Sequence, residues 1–180
     1  MDWPSLRRIV TENGADGRSA IRFDGGPAKV LAVDEAGLAE IWTTALASDG
    51  LQGGEDRLAA EDVRLEPGKN AVKARWFTVA PEDKSKSAEE NEDIAAGVFA
   101  AIGAAHARVD PSRHPMMHKT NTLDVIVMVK GEVDMLLDDG EARSLKPGDV
   151  VIQRATNHAW VNRGTETALL VAVLINAGQE

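Results

Sequence analysis

Two runs decide the fold: His114-Pro115-Met116-Met117-His118-Lys119-Thr120-Asn121-Thr122-Leu123-Asp124, and Lys146-Pro147-Gly148-Asp149-Val150-Val151-Ile152-Gln153-Arg154-Ala155-Thr156-Asn157-His158-Ala159-Trp160-Val161-Asn162. Between and around them the residues alternate as strands do, broken by glycine turns. Strands are expected over 124–130, 133–137, 141–145, 149–153 and 158–162. Tight turns are expected at Lys130-Gly131-Glu132, Asp138-Asp139-Gly140 and Lys146-Pro147-Gly148-Asp149. Short strands at this even spacing argue a barrel or sandwich. All four histidines lie between positions 106 and 158, and three of them fall within 114–162. Any chemistry is expected there.

Working outward, 167–175 is almost continuously apolar and reads as a strand covered on both faces. Upstream, 71–80 alternates well and reads as a strand. A helix is expected over about 87–108. Ser87-Ala88-Glu89-Glu90 is a capping-box pattern, and acidic residues at 89, 90, 92 and 93 suit the positive end of a helix dipole. Ile94, Val98, Phe99, Ile102 and Ala105 give that helix one apolar stripe. Asp110-Pro111 marks its end. Further upstream, 6–11 and 18–23 read as a hairpin across Asn13-Gly14-Ala15-Asp16-Gly17. Strands follow at 29–33 and 38–44. Residues 47–70 are rich in Gly, Asp and Glu, with few large apolar groups, and read as a long surface loop.

The chain of 180 residues suffices for one ordinary domain with a sizeable core. A single domain over 1–180 is expected, with an N-terminal β extension and loop at 1–66 and a barrel at 67–176. No apolar run reaches the ~20 residues of a membrane helix, and the first residues lack the apolar stretch of a secretory signal. Cysteine is absent, which excludes disulfides, thiolate metal sites and a Cys nucleophile, and fits a reducing cytoplasm. A net charge of −9 argues against nucleic acid as a main partner. No phosphate loop is present, because Gly25-Gly26-Pro27 lacks the Lys and the helix such a loop needs.

The motif residues resemble those of the cupin superfamily. Its first motif is matched by His118-x-Thr120, three residues, Asp124, six residues, Gly131. Its second is matched by Gly148, four residues, Gln153-x-Ala155, two residues, His158, three residues, Asn162. The likeness covers roughly 71–176. It implies an all-β fold: an antiparallel, jelly-roll-like barrel of six to eight strands, here with the N-terminal β extension and one inserted helix. It also implies a divalent metal, Fe, Mn, Ni or Zn, bound by His118, Asp124 and His158. Thr120 stands where the family has its second His. Gln153 replaces the motif proline and Ala155 a motif glycine.

Two imidazoles and a carboxylate on neighbouring strands are the minimum for a metal centre with open positions. His114 lies four residues before His118, on the same incoming segment, and is a candidate replacement ligand or mouth residue. Trp160, two residues after His158, should face the same side as that His and form a pocket wall. Gln153, Met117, Thr120 and His114 complete the candidate substrate contacts. Asp124, followed by a Val-Ile-Val run, would be costly to bury unless paired or metal-bound. His106 is expected at the surface.

Two functions stay open. One is a small-molecule enzyme whose metal polarises a carbonyl or carboxylate, for which the cupin resemblance implies lyase, decarboxylase, isomerase or dioxygenase chemistry. The other is a metal-free ligand-binding or accessory protein holding an apolar or aromatic metabolite. In it His158 and Asp124 act as acid and base, or only as hydrogen-bond partners. The resemblance also implies a homodimer, since cupins commonly pair through edge strands, which need covering.

Overall fold

Alternation along each strand sets which residues enter the interior. In β5 (Ala71–Val79) positions 71, 73 and 75 are buried, and in β6 (Leu123–Lys130) positions 124, 126 and 128. A computed structural model describes residues 1–50 and 54–178. The remaining strands are β1 (Arg8–Asn13), β2 (Ser19–Gly25), β3 (Lys29–Val33), β4 (Ala36–Ala45), β7 (Val133–Leu137), β8 (Arg143–Leu145), β9 (Val150–Arg154), β10 (His158–Val161) and β11 (Ala168–Asn176). Every strand pairing in the named sheets is antiparallel.

The main sheet runs β3-β4-β5-β11-β6-β9, a second runs β10-β7-β8, and β1 and β2 form a separate hairpin. The apolar strand 167–175 of the sequence becomes β11, central in the main sheet, between β5 and β6. Its residues Ala168, Leu170, Ala172 and Leu174 join Ile126, Met128 and Val133 in the main core. Trp160 of β10 and Phe77 of β5 pack against that core, 6.4 Å apart between ring centroids. The two larger sheets therefore meet through their inner faces, as a closed antiparallel barrel requires.

The N-terminal strands are not one appended unit. β4 pairs with β5 and β3 with β4, so they widen the barrel's own sheet, and only β1 and β2 stand apart. Residues 47–70 carry more of the core than their composition suggests. Leu58 and Val63 are buried, and Val63 packs against Phe99 and Ile102 instead of lying in solvent. Residues 51–53 of that expected loop lie outside the described residues.

The expected helix at 87–108 divides. α1 (Ala88–Ala101) starts at the capping box, with the Ser87 hydroxyl accepting from Glu90 N and the Glu90 carboxylate accepting from Ser87 N. The chain turns at Gly103, φ +66°, and Ala105–Ala107 forms a short 3-10 turn. The stripe also shifts. Ile94 and Val98 are exposed, while Ala95, Phe99 and Ile102 are buried. Only this narrow face meets Val63, Ala104 and Ala107, so α1 lies as a cover on the barrel. Among the described residues no helix is long and apolar enough to cross a membrane.

Candidate active site

His118 and His158 come from segments forty residues apart, and the backbone brings them together. Each donates its N–H to the other's carbonyl at 2.9 Å, as an isolated antiparallel bridge. Their rings lie 4.3 Å apart between centroids, tilted by 47°. Phe99 of α1 packs on the outer side of the His118 ring at 5.0 Å, and Trp160 on His158 at 5.3 Å. Trp160 thus shares the interior face with His158, as the strand period requires.

The tautomers follow from the hydrogen bonds. His118 Nδ1 lies 3.0 Å from Met116 O and His158 Nδ1 2.9 Å from Thr156 O. A carbonyl oxygen can only accept, so each Nδ1 carries the proton and each neutral ring keeps a bare lone pair on Nε2. Burial pushes His158 down to about 3, and the adjacent His118 adds to the effect. Burial also lowers His118, whose ring is sandwiched between Phe99 and His158. Both rings are neutral near pH 7.

Asp124 is 4% exposed on the inner face of β6, in register with Leu174 of β11 and Gln153 of β9. Burial pushes its carboxyl up to about 6, against the hydroxyls of Thr122 and Thr120 and the charge of Arg75, which pull it down. Its Oδ1 has no protein hydrogen-bond partner. Thr120 and Thr122 are both buried and joined through their hydroxyls at 2.7 Å. Thr120, at the position of the missing histidine, therefore serves the carboxyl group.

The expected triad is not assembled as a metal cradle. Among the described residues no three His, Asp or Glu side chains converge to hold an ion. The imidazoles stack on each other between two aromatic rings, and Asp124 is engaged by threonines. His114 is directed elsewhere. Its Nδ1 accepts from Met116 N, and its Nε2 lies 3.1 Å from Glu82 Oε1. Met117 is fully buried, packed with Leu136, Ala159 and Val161. Gln153 points inward, and its amide donates to Thr156 O. Arg154 is exposed. His106 is exposed and bonded to Glu66. Asn162 ties the loop after β10 by donating to Val79 O and Glu166 O, both at 2.8 Å.

Sequence reasoning missed Glu40, Lys73 and Arg75. All three are buried, and Arg75 Nη2 donates to Glu40 Oε1 at 2.9 Å. The signal was present: Lys73 and Arg75 share a face with Ala71 in β5, which reads equally as a solvated face or as a charged barrel lining.

No family model matches the chain. It is 43% identical over 84 residues to phomopsin biosynthesis cluster protein D of Diaporthe leptostromiformis, over 45% of this chain and 44% of that protein. It is 38% identical over 85 residues to the cupin-domain-containing oxidoreductase fogC of Aspergillus ruber, over 44% of this chain and 42% of that protein. The match spans less than half the length of each of these relatives. Among solved structures, the polyketide cyclase RemF from Streptomyces resistomycificus aligns with a TM-score of 0.44 and 14% identity, over 82% of this chain and 72% of that one.

Proposed function

We propose that this chain, whose fold is that of the cupin superfamily, is a small-molecule enzyme that transfers a proton on an organic substrate held in the barrel. Asp124 carries the proton. His118 and His158 accept hydrogen bonds from a substrate hydroxyl, enol or N–H. The observation that carries this reading is the pair of bare Nε2 lone pairs, each fixed by an Nδ1–H bonded to a backbone carbonyl.

A ring held near a pKa of 3 is a poor base at neutral pH, so His158 suits hydrogen-bond acceptance better than proton abstraction. A carboxyl near 6 is matched to working pH in both directions. Asp124 also has an Oδ1 that no protein group occupies. Phe99 and Trp160 line the surroundings of the imidazoles with apolar surface suited to an aromatic or alicyclic substrate, whereas Met117 packs on the opposite face of β10 with Ala159 and Val161. The names of the relatives, cupin-domain-containing oxidoreductases among them, support the enzymatic half of the reading. No step is routed through a metal, because the donor set does not converge. A cytoplasmic setting fits the lack of cysteine.

The test is exchange of the α-protons of phenylacetone in deuterated buffer, followed by NMR with protein dialysed against EDTA. Exchange above background is expected. Asp124→Asn should lower it by roughly 10²- to 10⁴-fold. The rate should rise with pH through about 6 and then level off, since the carboxylate is the active base. Unchanged exchange in folded Asp124→Asn sinks the assignment of that residue, and no exchange in the wild type sinks the reading. Exchange that returns only with added metal, together with a stoichiometric metal lost in His158→Ala, favours the metal mechanism instead.

A further inference from the structure

The lining of the barrel below the loop at 63–66 holds charge that the proton-transfer step does not use. Lys73 and Arg75 are neighbours on the inner face of β5, 5% and 2% exposed. Arg75 sits opposite Glu40 of β4 on one side and Ala172 of β11 on the other. Its Nη2 is fully used, donating to Glu40 Oε1 and to the Arg64 carbonyl. Lys73 Nζ donates to the same Arg64 carbonyl at 3.0 Å. Arg75 Nε and Nη1 have no partner, although both atoms are buried. A guanidinium has five N–H donors, so three of them, one on Nε and two on Nη1, are unanswered by the protein.

An unanswered buried donor costs about 1–3 kcal/mol, and more when charged. Folds rarely carry such a cost without use. On the neighbouring rung Asp124 faces Leu174, which in turn faces Lys73, so the carboxyl and the two cations share one interior surface. Arg75 and Asp124 are close enough to affect each other's ionisation. The small side chain of Ala172 lies between Arg75 and Ile126 in the same row. Two basic side chains, Lys73 and Arg75, thus stand beside the single Glu40 carboxylate that Arg75 bonds to.

We infer that Arg75, supported by Lys73, is an anion subsite that binds the carboxylate of the substrate. This deepens the proton-transfer reading and rests on it for the second half of the ligand. The carboxylate meets Arg75 Nε and Nη1, and a hydroxyl or acidic C–H of the same molecule lies toward Asp124 and the imidazoles. The substrate class is a small carboxylic acid with an apolar or aromatic body and a second polar function. Glu40 holds the guanidinium in place and is a positioning residue.

The experiment is isothermal titration of the full chain with acetate, benzoate and phenylacetate, against acetamide, benzamide and phenylacetamide as neutral isosteres. At least one carboxylate should bind about tenfold or more tightly than its amide, the scale of a hydrogen bond to a charged group. Glu40→Gln combined with Arg75→Met removes both charges without stranding either, and should abolish the preference in protein whose circular dichroism is unchanged. Lys73→Met leaves the Arg75–Glu40 pair in place and should weaken carboxylate binding by a smaller factor. Equal binding of acid and amide, binding of no carboxylate by folded wild type, or a preference surviving in the double variant overturns the subsite. Asp124→Asn separates the two proposals. Lost proton exchange with intact carboxylate preference upholds both. Preference without Asp124-dependent exchange leaves the subsite and removes the enzymatic reading, and exchange without preference does the reverse.

Discussion

Ala155 shows how much one residue can reveal. It occupies a position that the resembling motif gives to glycine, and its φ is +50°, in the left-handed region. That conformation costs a non-glycine residue roughly 1–2 kcal/mol, partly offset by the smaller entropy of the unfolded chain. Ala155→Gly should therefore stabilise the fold by about 0.5–1 kcal/mol, measured as a shift in the urea midpoint at constant slope. A destabilised variant would mean that Ala155 makes contacts which outweigh the strain. Asp124 and His158 give a pH signature with opposite signs. The Asp124 carboxyl sits near 6 in the fold against about 3.9 unfolded, so its contribution is present at low pH and lost as pH rises from about 4 to about 6. His158 sits near 3 against about 6.5 unfolded, so its contribution is present at high pH and lost as pH falls through that range. The two slopes oppose each other between about pH 4 and 6. Asp124→Asn removes one of them, and its stability should climb more steeply with pH than the wild type's, by an amount on the order of 3 kcal/mol across the window. Identical slopes in urea titrations would show that this carboxyl is not desolvated. The spacing of His118, Asp124 and His158 was legible because a motif ties residue type to position along a strand. Glu40, Lys73 and Arg75 were not, because alternation tells which residues share a face but not which face is inside.

At the scale of elements, local chemistry was the most readable part. The capping box at Ser87, the hairpin between β1 and β2, and the glycine at 131 all form where their residues dictate. Gly131 has a φ of +75°, and a Cβ there would lie 2.9 Å from the Ala168 backbone, so the turn between β6 and β7 admits no side chain. The buried face of α1 was less readable. Its seat is set by what packs beneath it, and Phe99 reaches the His118 ring while Ile94 faces solvent. Arg108 fastens the cover by donating to Glu92 at 2.7 Å and to Pro115 O at 3.0 Å. Ser87→Ala should cost about 1 kcal/mol. Because α1 lies outside the strand ladders, the loss should appear as faster amide exchange in 88–101, with β5, β6 and β11 unchanged. Equal acceleration in those strands would mean that α1 unfolds only with the barrel, and would remove its role as a cover.

For the whole molecule, the outward face of the main sheet is the open question that the expected homodimer would answer. Leu123, Val129, Val150 and Ile152 are 43–56% exposed on the adjacent strands β6 and β9, and β9 is the sheet's last strand. We propose that a second copy covers this surface, since contiguous exposed apolar patches mark association sites. Sedimentation should find a dimer at micromolar concentration, and Ile152→Lys should shift it to monomer with its circular dichroism unchanged. A monomeric wild type ends the proposal. The bridge between His118 and His158 has a further consequence. Their rings face each other because their main chains are bonded, so the two imidazoles behave as one part: neither can slide along its own segment without carrying its neighbour. A substitution that breaks this short bridge should therefore disturb both acceptors at once while leaving the chemistry of each ring intact.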